Sequence, residues 1–202
     1  SSVFTRLPIR LNFNDDYHEK LYSGVPKDGY EELFKNILGD IPFELNTDYF
    51  ADRDDFDKMA RHVVYTGPID RFFGYIHGDL EYRSLKFSHH LVHEDYQGIA
   101  QVNFPNQNTP WTRIIEHKFF NPKPTKESII TYEFPETYNK LNDPYYPINS
   151  SENNEIFRNY LKMIDKDKYI FGGRLANYAY MNMDQTILSS MKTFENHIKG
   201  II

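Results

Sequence analysis

Tyr30, Leu33, Phe34, Ile37 and Leu38 recur at offsets of zero, three, four, seven and eight, which predicts a helix with one apolar face that stops at Gly39. Before it, Leu7 to Phe13 alternates like an extended segment, and Pro26 and Gly29 punctuate the helix start. His62 to Tyr65 is a compact β-branched run closed by Thr66, Gly67 and Pro68, the pattern of a buried strand entering a tight turn. Strand-like runs then follow at Ser84 to Val92, Ile99 to Phe104, Thr112 to Phe120 and Ser128 to Phe134. The short polar or proline-containing turns between them predict an antiparallel meander. Helical spacing returns at Ile156, Phe157, Tyr160, Leu161 and Ile164, with Asn153 or Asn154 as candidate caps. Tyr169 to Phe171 predicts a short strand followed by Gly172 and Gly173, and Met183, Ile187, Met191, Phe194 and Ile198 predict a last helix capped by Asn182.

This order of elements predicts a mixed α/β fold, in which an antiparallel sheet is flanked by pieces resembling the outer parts of an α/β domain. A dinucleotide-binding domain opens with a βαβ unit and a Gly-rich turn, and none of the ten glycines here forms GxGxxG. Either the chain binds no dinucleotide or that unit lies upstream of Ser1. With 202 residues, 40% of them hydrophobic, there is enough chain for one large domain or two small ones.

No apolar run approaches the roughly 20 residues needed to cross a bilayer, so a soluble protein with no membrane partner is expected. The absence of cysteine excludes disulfides and thiolate chemistry and suits the cytoplasm. A net charge of -6 with scattered basic residues argues against nucleic acid as a partner. The 16 Tyr and 16 Phe are mostly expected in the core and on strands, with some free to sandwich a base or sugar.

His89, His90, His93, Glu94 and Asp95 contain metal-ligating types, but the order is neither HExxH nor HxxEH. On a strand His89 and His93 face opposite to His90, so no metal site is expected. The acidic run Asp52, Asp54, Asp55 and Asp57 lacks the glycine and closing glutamate of an EF-hand and reads as a solvated turn. Asp15 and Asp16, as sequence neighbours on extended chain, point apart and do not form a glycosidase pair. Gly172, Gly173 and Arg174 ahead of a helix suit an anion, because glycine admits close backbone approach and the guanidinium adds fixed charge.

Eight segments in order resemble the bacterial UDP-galactopyranose mutases: RLPIRLNFNDDY at 6–17, GVPKDGY at 24–30, YTGPID at 65–70, EYRSLKF at 81–87, DYQGIAQVNF at 95–104, TRIIEHK at 112–118, DPYYPIN at 143–149 and GGRLANYAYMNMDQ at 172–185. The resemblance implies that close to half of the family's usual chain, including the GxGxxG turn that binds FAD, precedes Ser1. It implies the end of a helical lid domain at 1–38, an FAD-domain segment at 39–75, an antiparallel substrate sheet at 76–149 and a second FAD-domain segment, Rossmann-like, at 150–202. The implied activity is an isomerase that interconverts UDP-galactopyranose and UDP-galactofuranose through a sugar adduct on N5 of reduced flavin, with this chain inactive alone. A homodimer is a further expectation.

By the same resemblance Arg6 and Arg113 clamp the diphosphate, and Tyr17, Tyr146 and Tyr180 offer it hydroxyls. Asn103 binds the uridine, and Arg83, Arg174, Asn182 and Met183 lie at FAD. Three residues depart from the common pattern: His18 for Phe, Asn182 for Asp and Trp111 for Tyr. A titratable His18 beside a diphosphate would let affinity fall as pH rises through about 6 to 7. The competing expectation is a UDP-sugar binding module with the same clamp and sheet but no catalysis.

Overall fold

The computed structural model describes residues 11–13, 22, 24–106, 108–121, 123 and 125–200. Arg6, Tyr17, His18 and the Asp15–Asp16 pair lie outside the described residues. So does most of the extended segment expected at Leu7 to Phe13, whose last three residues form a bend. The chain divides into two units, Ser1–Phe43 with Phe120–Lys123, and Glu44–Phe119 with Pro124–Ile202.

In the first unit, α1 spans Gly29–Leu38, as the apolar spacing predicts. Glu31 and Glu32 sit in its first turn, where the helix dipole favours negative charge, and Glu31 pairs with Lys35 at 2.7 Å. Gly39 ends the helix at φ 55, a conformation that suits glycine, and donates its N–H to the Lys35 carbonyl.

The second unit begins with α2 (Arg53–Met59), β1 (Val63–Tyr65) and α3 (Ile69–Phe72). It continues through β2 (Tyr82–Val92), β3 (Gln101–Asn103), β4 (Arg113–Glu116), β5 (Ser128–Thr137) and β6 (Tyr146–Pro147). It closes with α4 (Ser151–Leu161), β7 (Tyr169–Phe171), α5 (Gly173–Ala176) and α6 (Met183–Thr193), which runs on into a π turn at Phe194–Ile198. β1 and β7 form a two-stranded parallel sheet, and the other strands form one antiparallel sheet in the order β3-β4-β5-β2-β6. The fold is therefore mixed α/β.

The sheet is not the simple meander the short turns suggest. β2, first in sequence, pairs with β5, last of the β3-β4-β5 run, which gives those four strands Greek-key order. The 93–100 crossover that makes this possible is held by Glu116, which is fully buried and accepts the N–H groups of Tyr96 and Gln97 at 3.1 and 2.8 Å. The strand expected through Phe120 stops at Glu116 and becomes a 3-10 turn at His117–Phe120. There Lys118 is drawn inward to Asp95 and Glu116, and its N–H bonds the Ser128 hydroxyl. β1 is also less buried than its apolar run implies, since Val64 is half exposed while Tyr65 is buried.

Two further local expectations change. The acidic run at Asp52 to Asp57 is a helix, not a solvated turn, because Asp54 and Asp55 stabilise its first turn and Asp57 is drawn into a network. Tyr49 and Tyr169 donate to Asp57 at 2.5 and 2.6 Å, and Arg53 lies 3.5 Å from it. α4 is capped by Ser150, whose hydroxyl accepts the Asn153 N–H at 3.1 Å. Asn153 itself is buried and donates its side-chain amide to Glu81 and to the Ile148 carbonyl. Asn182 does begin α6, in a capping box with Gln185.

The core is aromatic. Ile69, Leu80, Tyr82, Tyr160 and Tyr178 form one cluster, and Tyr65, Phe72 and Ala176 form a second. Buried tyrosines need partners for their hydroxyls. Tyr160 Oη donates to the Gly78 carbonyl at 2.7 Å and accepts the His77 N–H at 3.1 Å. Tyr178 Oη donates toward the Glu81 and Ile148 carbonyls. Asp70, buried beside them, accepts the N–H groups of Leu80 and Arg71, and burial pushes its carboxyl above the usual aspartate range. No helix of the described residues is long and apolar enough to cross a membrane.

Tyr160→Phe removes both hydroxyl bonds and leaves the Gly78 carbonyl unpaired, so it is expected to cost about 1 to 3 kcal/mol in urea unfolding. A loss too small to resolve would show that Tyr160 Oη is not part of what holds the core. Burial opposes ionisation of Asp57, but the hydroxyls of Tyr169 and Tyr49 and the Arg53 charge outweigh it and hold the carboxyl below its ordinary value of 3.8. The stability this contributes is present above that value and is lost as pH falls further. Asp57→Asn is therefore expected to flatten the acid limb of stability measured against pH.

Candidate functional site

In an antiparallel sheet, residues paired in register put their side chains on the same face. Asn103 of β3 pairs with Arg113 of β4, and Arg113 pairs with Glu133 of β5, which pairs with Phe87 of β2. These four make one row. Arg113 Nε donates to Asn103 Oδ1 at 3.0 Å, and its Nη1 reaches Glu133 Oε2 at 3.4 Å. The Glu133 side chain is 11% exposed and that of Arg113 is 34% exposed, so the carboxylate is a buried anchor and the guanidinium keeps an open side. Thr112 adds a hydroxyl bond to Glu133 Oε1 at 3.3 Å.

Two register steps further along β2, on the same face, Arg83 pairs with Tyr146 of β6. Tyr146 stacks on Tyr180, with ring centres 5.5 Å apart, and the Arg174 guanidinium lies 5.3 Å from the first ring and 5.6 Å from the second. Arg174 Nη2 donates to the Tyr145 carbonyl at 2.9 Å, while its Nε is buried without a hydrogen-bond partner among the described residues. Rings continue along the face from Tyr180 and Tyr146 through Tyr145 and Phe87 to His89.

Burial raises the Tyr146 hydroxyl above the ordinary phenol value, and Glu133 and Tyr180 raise it further. Arg113 and Arg174 pull it down. The two arginines, the carboxylate and the two tyrosines therefore share one electrostatic neighbourhood.

Of the residues singled out in the sequence, the fold gathers Asn103, Arg113, Tyr146, Tyr180, Arg174 and Arg83 on one side of the sheet. Asn182 and Met183 begin α6, two and three residues past Tyr180, with Met183 exposed. Glu133 escaped the sequence reading. Its one signal is a charged residue between Tyr132 and Phe134 in the middle of a strand-like run, which names no partner.

The histidines do not converge on a metal. Among the described residues no group of three His, Cys, Asp or Glu side chains does. His90 bonds Ser88, His93 bonds Glu127, and His89 bonds Thr131 on the opposite face to His90.

A guanidinium oriented by a buried carboxylate, beside stacked phenols carrying a second guanidinium, sets charge-assisted donors next to aromatic faces, chemistry that suits an anionic ligand bearing rings. A family model described as UDP-galactopyranose mutase matches residues 1–180. A probable UDP-galactopyranose mutase of Klebsiella pneumoniae is 35% identical, covering 100% of this chain and 53% of the relative. A dTDP-fucopyranose mutase of Escherichia coli is 34% identical, covering 99% and 55%. A UDP-galactopyranose mutase of Mycoplasma genitalium is 34% identical, covering 95% and 52%. The chain belongs to the UDP-galactopyranose mutase family. It spans about half the length of the curated relatives it matches.

The shared neighbourhood has a direct readout. Glu133→Gln is expected to lower the Tyr146 pKa, and Arg113→Met to raise it, in a phenolate absorbance titration taken as the difference from Tyr146→Phe. Identical difference curves would mean that Tyr146 does not sense the clamp.

Proposed function

We propose that the chain forms the substrate side of a UDP-galactopyranose mutase, which interconverts UDP-galactopyranose and UDP-galactofuranose. The observation that carries this reading is the Asn103–Arg113–Glu133 row facing the Tyr146–Tyr180–Arg174 stack in a chain of that family.

Arg113 and Arg6 clamp the diphosphate. As the sugar's anomeric bond breaks, charge grows on the departing phosphate oxygens, and a guanidinium already fixed by Glu133 stabilises it without reorganising. Tyr17, Tyr146 and Tyr180 donate hydroxyls to the same oxygens. Asn103 Oδ1 is occupied by Arg113 Nε, so its amide nitrogen is the group that meets a uracil carbonyl.

The elements flanking the substrate sheet belong to an FAD-binding, Rossmann-like domain of a cytoplasmic enzyme. The residues present fit such a cofactor: Arg174 Nε is a buried donor without a partner among the described residues. Beside it a cavity of ≈ 330 Å³ is lined by Gly172, Gly173, Thr66 and Thr186. Gly173 has φ +76, which a side chain would strain. Arg83, Arg174, Asn182 and Met183 hold the cofactor. Reduced flavin, when bound, supplies the nucleophile for the anomeric carbon.

The dTDP-fucopyranose mutase relative favours a second reading of the substrate, a dTDP-linked deoxysugar. The clamp chemistry is common to both, because uracil and thymine share the carbonyl that Asn103 meets.

The test uses the complete gene product reduced with dithionite, and follows conversion of UDP-galactofuranose and of dTDP-fucofuranose to their pyranose forms by chromatography. Conversion of the first that needs reduced flavin, and falls about tenfold or more with Arg113→Ala, is the expected result. Preference for the dTDP sugar would establish the second reading, and no conversion by flavin-loaded protein would leave a nucleotide-sugar binding module.

A further inference from the structure

The face that carries Arg113 continues beyond it. One register step along, Thr131 of β5 stands opposite His89 of β2 and Ile115 of β4. Two residues along a strand span about 7 Å, which sets the distance between this row and the Arg113–Glu133 row. Thr131 Oγ1 lies 2.8 Å from His89 Nδ1 and 2.7 Å from His117 Nε2, the latter from the 3-10 turn after β4. Thr131 is buried, while both histidines are exposed.

A hydroxyl carries one proton, so it can donate to only one of the two rings, and the other ring must donate to it. In the neutral pair one ring therefore turns an N–H outward and the other turns a bare nitrogen outward. A first added proton goes to that bare nitrogen and breaks no bond of the bridge. A second would have to displace the Thr131 O–H from the ring that accepts it.

The charged groups on this face are Arg113 from β4 and Glu133 from β5, which pair with each other, and, farther from His89, Arg83 near the start of β2 with Arg174 beside Tyr146. From β2 the neighbours of His89 on this face are the uncharged Phe87 and Leu91. Lys118, Glu116 and Asp95 pair among themselves, and His93 pairs with Glu127. Once singly protonated, the bridge adds an unbalanced positive charge and two outward N–H donors beside the clamp.

We propose that His89, Thr131 and His117 form a second anion subsite that binds an oxyanion of the phosphate class about 7 Å along the sheet from Arg113. It deepens the reading of the Arg113 face as a phosphate-binding surface and rests on that reading for the other end of the ligand. Burial, and then His89, hold the His117 imidazole below its ordinary pKa, so the subsite fills as pH falls. By linkage, a bound anion raises the proton affinity of the pair.

Sulfate is the probe, because its charge does not change between about pH 5 and pH 8, where imidazoles titrate. In calorimetry on the 202-residue chain, sulfate affinity is expected to rise about fivefold or more as pH falls from about 8 to about 5.5. His89→Phe and His117→Gln should each remove most of that rise. A rise that persists in both variants, or no pH-dependent binding at all, would overturn the subsite.

An NMR titration of the imidazole protons checks the bridge without any ligand. At high pH one of His89 Nδ1 and His117 Nε2 is expected to carry its ring's proton and the other to be bare, each ring holding a single tautomer, with the tautomers mixing in Thr131→Val; tautomers unchanged in that variant would overturn the bridge. Arg113→Ala separates the two readings: if it leaves UDP binding intact, the clamp assignment fails, while pH-dependent sulfate binding lost only in the histidine variants still supports the subsite.

Discussion

Everything at the site depends on β5 being paired on both sides. It is locked to β2 through ten register pairs from Val92–Ser128 to Arg83–Thr137, and to β4 through four more. Side chains alternate along a strand, so a slip of one residue would carry Glu133 and Thr131 to the opposite face. Arg113 would then lose its carboxylate, and His89 and His117 their common hydroxyl. The Greek-key order is what allows β5 this double role, because it brings β2 to the edge of β5 that a meander would leave open.

Burial and charge act together on the result. Glu133 is nearly enclosed, so leaving it without Arg113 would strand a buried charge, and the pair is therefore fixed from both ends. The open side of the guanidinium is what remains for a ligand. The tyrosines divide by the same logic. Tyr160 and Tyr178 spend their hydroxyls on backbone carbonyls inside the core, whereas Tyr180 stays 44% exposed in its stack with Tyr146. A phenol enclosed in the core holds the fold, while the Tyr180 ring keeps an exposed side.

Much of this was legible in the amino-acid sequence. Period-3.6 spacing located α1, α4 and α6, and strand-like runs located β2 and β5, because an apolar repeat at an element's own period is written in the sequence itself, even in α1 and α6, which bury no residue. The Gly39 stop and the Asn182 cap are local backbone chemistry and need no distant partner. The ordered motifs named the family that the comparison finds. Misread elements were those set by a remote contact. Asp57 draws a supposed turn into α2 through Tyr169, more than a hundred residues away, and Lys118 turns the end of a strand into a 3-10 turn through Asp95 and Glu116.

By itself, then, the sequence determined which of the longer segments are helix or strand, where several of them end, and the family. Only the tertiary structure decided which strands are neighbours, and so which side chains meet. Glu133 against Arg113, Arg174 over Tyr146, and two histidines on one hydroxyl are all long-range pairings. The physical reason is that periodicity records only that a face is apolar, while register and strand order, which name the partner, arise when the sheet closes and the whole core must be satisfied at once.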